Sequence, residues 1–457
     1  MANESGISVP DVKSMKIINF DGSDSTNIRS MCAELNLHES LMNNTLYGNM
    51  VIYDGINMLH ELPIIGEETL ELIFQSMGGK NPVKRLFRIY KIDTRQPDKN
   101  DKATSYTLHF TSREKINDLN TKIQQSFSGK EIHKIVQSVY DSYIKSPKRL
   151  KEIEIEETVA VHDIVVPNLS PFQTMNYLAK RAEGKDNTSS TFIFFENHEK
   201  FYFQTVEKTM RAASKQTYYY KPANFSKKGS DEEVDEQYII QVLDQHLLTD
   251  VMKNIMTNMY SGTALTHDLI RKKYTTHGFD YRTDYDAPTR AHIRKVGNDG
   301  KFKDGKFVTE KANFTNNSKT TLFIPTQLKQ SEVKYIKDKK IKIHPKRTEL
   351  FKLAEKSGFA QMDNIVYNLV IHGDHTRQPG DMITLRIPKF TSLTKQGDPE
   401  DKFYSGNYLV TEVRHKINVD TFTTVLQVVK DSYEQKIKPG KVVGRKFSDV
   451  ANALNMD

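Results

Sequence analysis

The strongest constraint in this chain lies near its C-terminus, where residues 363–432 alternate in character with a period of two over four successive runs. In the first, Ile365 to His372, one face carries Val366, Asn368, Val370 and His372 and the other Tyr367, Leu369 and Ile371. Gln378-Pro379-Gly380-Asp381 follows, with proline where φ must be near about −65° and glycine where φ > 0 is wanted, which predicts a type II turn. Met382 to Ile387 is the second strand, stopped by Pro388; Ser405-Gly406 opens the third, Asn407 to Ile417; Thr421 to Val429 is the fourth. Alternation of β-branched and aromatic residues in all four predicts an antiparallel sheet. The residues singled out are therefore structural turns: Pro379, Gly380, Asp381, Ser405 and Gly406, the last expected at positive φ.

The N-terminal third repeats the signal more weakly. Residues 1–12 read as disordered. Strands are expected at Met15–Phe20, Arg29–Leu37 (with Met31, Ala33, Leu35 and Leu37 on one face), Asn49–Tyr53, Glu68–Gln75, Arg85–Ile92 and Ser105–Thr111. Two helices should follow, one with Ile116, Leu119 and Ile123 as its stripe, the other with Ile132, Ile135, Val136, Val139 and Tyr143. Strands followed by helices make this an α+β chain. The order Asn49-Met-Val-Ile, Ile65-Gly-Glu-Glu-Thr-Leu-Glu-Leu72, then strands 85–92 and 105–111, also runs parallel to Asn368-Leu-Val-Ile, Pro379-Gly-Asp-Met-Ile-Thr-Leu-Arg-Ile387, then strands 407–417 and 421–429. That is a candidate internal repeat of one sheet.

Between them, Ser170-Pro171-Phe172-Gln173 is a helix start: serine caps, proline occupies the first turn and glutamine can close a capping box. Two aromatic-rich strands, Thr191–Glu196 and Lys200–Gln204, meet at Asn197-His198-Glu199. An acidic loop, Asp231–Glu236, leads to a strand and helix ending near Met259. Residues 434–457 read as a flexible tail.

At 457 residues the chain has room for about three domains. No apolar run reaches the roughly 18 residues that span a bilayer, and Met1–Val12 lacks the pattern of a signal peptide. A single cysteine, Cys32, excludes an internal disulfide and reads as a buried, inert thiol. The net charge of +8 is uneven: residues 294–347 hold 15 Lys/Arg against 5 Asp/Glu. Few aromatics interleave that segment, so it reads as a solvated insertion, with a nucleic-acid patch as the competing reading.

Chemistry is sparse. No phosphate-cradling glycine loop, nucleophile elbow or HExxH motif occurs. His372-Gly-Asp374-His375 has zinc-ligand residue types, but its setting is that of a strand-to-turn passage. His267 and His277 form a weaker pair. Glu152, Glu154, Glu156 and Glu157 read as a solvated strand face. No catalytic, cofactor-binding or metal-binding residue is assigned.

Three segments carry a family resemblance: Asn368-Leu-Val-Ile-His-Gly-Asp374 with Pro379–Pro388, Ser405-Gly-Asn-Tyr-Leu-Val-Thr-Glu-Val-Arg-His415, and the Ser170-Pro-Phe helix preceding Phe192-Ile-Phe-Phe-Glu-Asn197. In this order they resemble baseplate hub proteins of contractile-tailed phages, similar to the cup-shaped hub trimer of T-even phages and related to type VI secretion spike hubs and tail-tube proteins. The resemblance implies two tube-like antiparallel β domains and a mixed intervening one. These would be 13–150 for the first tube-like domain, 216–275 with 348–433 for the second, and 151–215 with 276–347 for the intervening domain. It implies a non-enzymatic homotrimer in the virion tail baseplate, assembled in the host cytoplasm, joining a six-fold tube to a three-fold spike. Its implied partners are itself, the spike, tail-tube and tube-initiator proteins, and also the tape measure and baseplate wedge. A hub of a contractile injection or type VI-like system, or a basic nucleic-acid-binding tail protein, are the alternatives. If each subunit carries two tube domains, three present six, and the two sheets should be related by about 60° about the tail axis.

Overall fold

The computed structural model describes residues 9–61, 64–97, 103–145, 151–159, 161–185, 190–221, 235–247, 250–268, 272–280, 294–295, 321–326, 333–336, 339–342, 348–362, 364–389 and 400–433. The basic segment 294–347 is thus described only at a few short strands, and the tail 434–457 lies outside the described residues.

Seven strands form the first part of the main sheet: β1 (Pro10–Ile18), β2 (Ser25–Asn27), β3 (Cys32–Ser40), β4 (Tyr47–Asp54), β5 (Thr69–Ser76), β6 (Val83–Pro97) and β7 (Thr104–Ser112). A short helix, α1 (Met58–Glu61), sits between β4 and β5. The strands lie in the order β3-β4-β7-β6-β5-β1-β2. Alternate residues point inward as the pattern requires, so Leu35, Leu37, Met50, Ile52, Leu70, Leu72, Phe74, Phe87, Leu108 and Phe110 share one core. Two expectations change here. Pro10–Val12 are ordered, because Val12 is buried opposite Phe74 and Asp11 accepts a 2.8 Å hydrogen bond from Gln75. Ala33 is exposed, because a bulge between Cys32 and Glu34 shifts the register against β4 and puts Cys32 inward instead.

The next elements are α2 (Arg113–Asn120), β8 (Ile123–Glu131), α3 (Ile132–Val139) with a π turn over Tyr140–Ile144, β9 (Ile153–Ile155), β10 (Val161–Leu169), α4 (Pro171–Ala179), β11 (Phe192–Glu196), β12 (Phe201–Thr205) and α5 (Val206–Met210). The stripe expected for the first helix does not form. The helix ends at Asn120, Leu119 is exposed, and Ile123 begins a strand that pairs with β10. That strand, Ile-Gln-Gln-Ser-Phe-Ser-Gly-Lys-Glu, buries only Ile123 and Phe127, too few apolar residues to reveal its period. Residues Ile123–Ile144, expected to close the first domain, share a core with Ile164, Phe172, Met175, Phe194 and Phe203 of the following segment. The capping box of α4 is present: Gln173 N donates to Ser170 Oγ at 3.3 Å and Ser170 N donates to Gln173 Oε1 at 3.0 Å. Phe172 N, another unpaired donor of the first turn, donates to the buried carboxylate of Asp118 at 2.7 Å.

The remaining elements are β13 (Gln216–Tyr219), β14 (Val242–Leu247), α6 (Val251–Met256), β15 (Ser261–Asp268), β16 (Lys273–Asp280), β17 (Arg294–Lys295), β18 (Thr321–Thr326), β19 (Val333–Ile336), β20 (Lys339–Lys342), α7 (Thr348–Met362), β21 (Ile365–His372), β22 (Met382–Arg386), β23 (Gly406–Asn418), β24 (Phe422–Lys430) and β25 (Ser432–Tyr433). The four C-terminal strands fall where the alternation puts them. β15 pairs with both β16 and β18, so one small sheet crosses the boundary expected at 275/276.

The weak repeat is visible as topology. The neighbours β3-β4-β7-β6-β5-β1 recur as β14-β21-β24-β23-β22-β13. Both copies carry a bulge at the same place, between Ile89 and Lys91 and between Val410 and Glu412. Just before it, Ile89 N donates to Glu68 O at 3.2 Å and Val410 N donates to Asp381 O at 2.9 Å. A glycine at positive φ precedes each acceptor, Gly66 at 98° two residues before Glu68 and Gly380 at 92° directly before Asp381. The copies also differ: β1 runs antiparallel to β5 whereas β13 runs parallel to β22, and β6 carries a second bulge, between Asp93 and Gln96, that has no counterpart in β23.

Replacing Ser170 by alanine removes the Oγ that accepts from Gln173 N and leaves the backbone half of the capping box, and we expect it to cost about 1 kcal/mol in urea unfolding. An unchanged midpoint would show that Asp118 and the backbone half hold the helix start without the serine hydroxyl.

Candidate functional site: the seam between the two sheets

The two copies are not separate sheets. β23 is 13 residues long, and its halves have different neighbours. Gly406–Leu409 pairs with β22, while Glu412–Asn418 pairs antiparallel with β3, from Glu412 opposite Ser40 to Asn418 opposite Glu34. One 13-stranded sheet results, with the β3·β23 seam at its centre. Along one face of the seam, Arg414 donates two hydrogen bonds to Asn36 Oδ1, at 2.9 and 2.8 Å, and Lys416 pairs with Glu34 at 3.1 Å. On the other face Leu35 and Ile417 enter the first core.

The β11–β12 hairpin plugs one end of the seam. Every residue of Phe192–Glu196 is buried, because its two faces serve two cores: Phe192 and Phe194 in one, Ile193 and Phe195 in the other. Buried Glu196 accepts Leu46 N at 3.0 Å and forms an ion pair with half-buried Lys151. Burial pulls the Lys151 ammonium down to about 8, against the opposing pull of Glu114. Asn197 Nδ2 donates to Gln378 Oε1 at 2.7 Å. The turn residue His198 reaches Glu39 of β3, its backbone N–H donating at 3.1 Å and its ring Nδ1 lying at 3.2 Å.

Glu39 is fully enclosed, with His415 of β23 on its other side at 3.9 Å. Burial works to raise its pKa, but the neighbouring imidazoles, His198 foremost, leave it below the usual carboxylate value. Burial likewise works against protonated His198, but Glu39 outweighs it and the pKa is raised. His415 goes the other way: burial pushes it down to about 4, only partly opposed by Glu39. The two opposite shifts favour a His198–Glu39 ion pair, beside a His415 that is neutral at neutral pH. None of the three stands out in the sequence, because they come from segments far apart and none alternates unusually with its neighbours.

The expected turn residues converge on the same region. Gly380 has φ 92°, and Asp381 N donates to Gln378 O at 3.2 Å, the closing bond of the turn. The turn is buried: Gln378 and Asp381 are enclosed, and Asp381 pairs with Lys215 at 2.6 Å. Ser405 Oγ bridges Ile387, accepting from its N–H at 2.9 Å and donating to its carbonyl at 3.2 Å. Gly406 has φ 119° and opens β23.

His372, Asp374 and His375 point to separate partners. Asp374 pairs with Arg377 at 3.0 Å, and its usual acidity is increased despite burial. His375 crosses to the first sheet. Ser76 N donates to its Nδ1 at 3.1 Å, which leaves the proton on Nε2 to donate to Lys80 O at 2.9 Å. Gly373 is set by close approach, since a Cβ there would lie 2.2 Å from the Phe422 ring. Among the described residues no three His, Cys, Asp or Glu side chains gather to hold a metal ion. His267 stacks on Tyr274, and His277 lies opposite Ala264 in the next strand. Glu154 bridges Lys200 and Lys208 and Glu156 accepts Thr205 N, so these two carboxylates tie β9 to the hairpin. Cys32 is buried and its thiol is pushed up to about 12, which suits an inert role.

A curated relative aligns along nearly the whole chain: the probable baseplate hub protein gp334 of Vibrio phage KVP40, 21% identical, over 89% of this chain and 91% of the relative. The chain is similar to a phage baseplate hub protein over most of its length. Two solved structures share the fold: a tail protein from Neisseria meningitidis MC58 (TM-score 0.52, 9% identity, 92% of this chain and 96% of that one) and the 43 kDa tail protein of prophage MuSo2 from Shewanella oneidensis (TM-score 0.52, 8% identity, 92% and 98%). No protein-family model matches. The α+β class with a large antiparallel sheet, expected from the alternation and the hub resemblance, is the class observed.

Two expectations follow. Gly406→Val should cost on the order of 1–3 kcal/mol, because a β-branched residue is strained at that φ; an unchanged melting temperature would count against it. Stability should also be greatest near about pH 6.5, the unfolded histidine value. As pH falls from there it is lost first through His415, whose folded pKa is depressed to about 4, and below about 4.3 also through Glu39, whose folded pKa is depressed; as pH rises from there the contribution of His198 is lost through its raised folded pKa. Urea titrations across pH should show His198→Asn flattening the alkaline slope while the His415 part of the acid slope persists. Identical slopes in the two proteins would remove His198 from the account.

Proposed function

We propose that this chain is the hub subunit of a contractile phage tail baseplate, a homotrimeric adapter between a six-fold tail tube and a three-fold puncturing spike. The observation that carries the reading is the doubled topology: one polypeptide holds the same six-strand order twice, with the same bulge, joined edge to edge by the seam. A three-fold assembly of such a chain offers six similar sheets to a tube, which one sheet per subunit cannot do. The similarity to a probable baseplate hub protein over most of the chain supports the same reading.

The mechanism is geometric. The seam is hydrogen-bonded along the backbone and locked by the β11–β12 hairpin, so the two sheets move as one body when force is transmitted. The reading needs no catalytic residue. It places the protein in the virion tail baseplate, with the spike and the tail tube as its principal partners and the tube-initiator, tape measure and wedge proteins as further ones.

Native mass measurement of the full chain together with its spike partner tests this. We expect three copies of the chain per spike trimer. A stable one-to-one heterodimer would exclude the adapter.

A further inference from the structure

The first sheet, α2 and the β11–β12 turn do not close on one another completely. A cavity of about 380 Å³ remains where β6, the first turn of α2, Lys151 and the turn residue Glu199 meet. Its volume is that of a small-molecule site. Five of its ten lining residues are cations: Lys84, Arg85 and Arg88 from β6, Arg113 from the start of α2, and Lys151 from the segment before β9. Among the described residues, the carboxylates in its walls are Glu114 and Glu199.

These charges do not cancel. Glu114 is buried and lies 3.8 Å from Lys151, which also pairs with Glu196, so the nearest carboxylates serve the one ammonium. Glu199 is exposed. Burial pulls the Arg88 guanidinium below its ordinary value and neighbouring Arg113 pulls it further, with Glu67 and Glu68 opposing only in part. Arg85 likewise adds to the burial that pulls Lys151 down.

The start of α2 contributes the same sign, as the N–H groups of a helix start carry partial positive charge. Its N-cap residue, Ser112, supplies no side-chain cap, and the Ser112 hydroxyl is buried with no hydrogen-bond partner among the described residues.

Crowded like charges repel one another and weaken a fold unless something neutralises them. Held around a cavity, they suit an anionic ligand. Guanidinium forks and helix starts are the groups that grip phosphate oxygens. A carboxylate offers two oxygens and one charge. A phosphate group offers more oxygens and up to two charges, which matches donors that arrive from separate elements.

We propose that this cavity binds a small phosphate-bearing molecule, its phosphate held between Arg88 and Arg113, with Lys84 and Arg85 beside it. Lys151 stays with Glu196 and Glu114. The bound phosphate neutralises the arginines and ties β6 to α2 next to the hairpin that plugs the seam, so binding stabilises the fold by mass action. The site stands independently of the tail reading.

Calorimetric titration of the full chain at an ionic strength of about 0.15 M, where surface attraction is screened, tests it. The probes are sodium pyrophosphate, inorganic phosphate, adenosine monophosphate and a short DNA duplex. We expect saturable one-to-one binding of pyrophosphate, weaker by about tenfold or more in Arg88→Gln and in Arg113→Gln. Lys134→Gln, which removes one charge from an exposed lysine outside the cavity, should leave the affinity unchanged. Tighter binding of adenosine monophosphate than of inorganic phosphate supports the site and assigns its phosphate to a nucleotide; the reverse order supports it and assigns free phosphate. Absence of saturation, or an equal loss in Lys134→Gln, overturns the site. A duplex that binds more tightly than pyrophosphate and needs the same two arginines overturns the small-molecule ligand in favour of a nucleic-acid face.

Melting temperatures separate binding from folding. Without ligand, relief of the crowding should leave Arg88→Gln and Arg113→Gln no less stable than the unsubstituted chain, and pyrophosphate should raise the melting temperature of the unsubstituted chain but of neither variant. Lower stability in both variants with the pyrophosphate effect intact shows the arginines holding the fold, and overturns the proposal. Lys84 is exposed, so Lys84→Gln should fold whatever the arginines do and should weaken pyrophosphate binding severalfold. Unchanged affinity in all three variants overturns the site.

Discussion

The antiparallel pairing of β3 with β23 is the contact on which the rest of the molecule depends. It joins residues as far apart as Ser40 and Glu412 and turns two sheets into one. Without it, β3 and the outer half of β23 would each expose a backbone edge, and Leu35 and Ile417 would lose the cover they give each other. Such a contact closes a loop of most of the chain, an entropic cost that is met only when many local contacts already stand. The first core includes Ile417 and Phe422 from across the seam, so it is complete only once the seam is made.

The intervening segment makes that step secure. Its hairpin has no polar face: Phe192 and Phe194 fill one core while Ile193 and Phe195 fill another, so the strand is buried from both sides. At its turn, polar groups replace apolar ones where they reach the seam. Glu196, Asn197 and His198 each contact a different segment, Leu46, Gln378 and Glu39. Buried charges are expensive unless paired, and here each is: Glu196 with Lys151, Glu39 with His198. Positions of this kind fix the angle between parts more tightly than apolar packing alone, since a small shift would leave a buried charge without its partner.

The two copies of the sheet have kept backbone devices rather than cores. The bulge, the hydrogen bond preceding it and the glycine at positive φ recur, whereas the residues facing inward differ at most places, as with Met50 and Leu369 or Phe110 and Val428. An edge-to-edge assembly selects for where strands end and how they twist, and a bulge sets both. Core side chains need only fill their own volume.

Local patterns were enough to read the elements with strong periodicity or strong punctuation. The four strands of 365–430, the Gln378–Asp381 turn, the positive φ of Gly406 and the capping box of Ser170 were all legible, because each is decided within a few residues by alternation, ring constraint or side-chain reach. The candidate repeat could be read as an order of elements, but not that its two copies fuse. Strand β8 was hidden by its polar composition, and Ala33 was misplaced by a bulge that leaves no mark in the pattern. The seam, the Glu39–His198–His415 pocket and the role of His375 as a tie to Ser76 and Lys80 were decided only by the tertiary structure. Alternation says that a strand has a face to bury and an edge to pair. It does not say which strand, hundreds of residues away, will come to lie beside it.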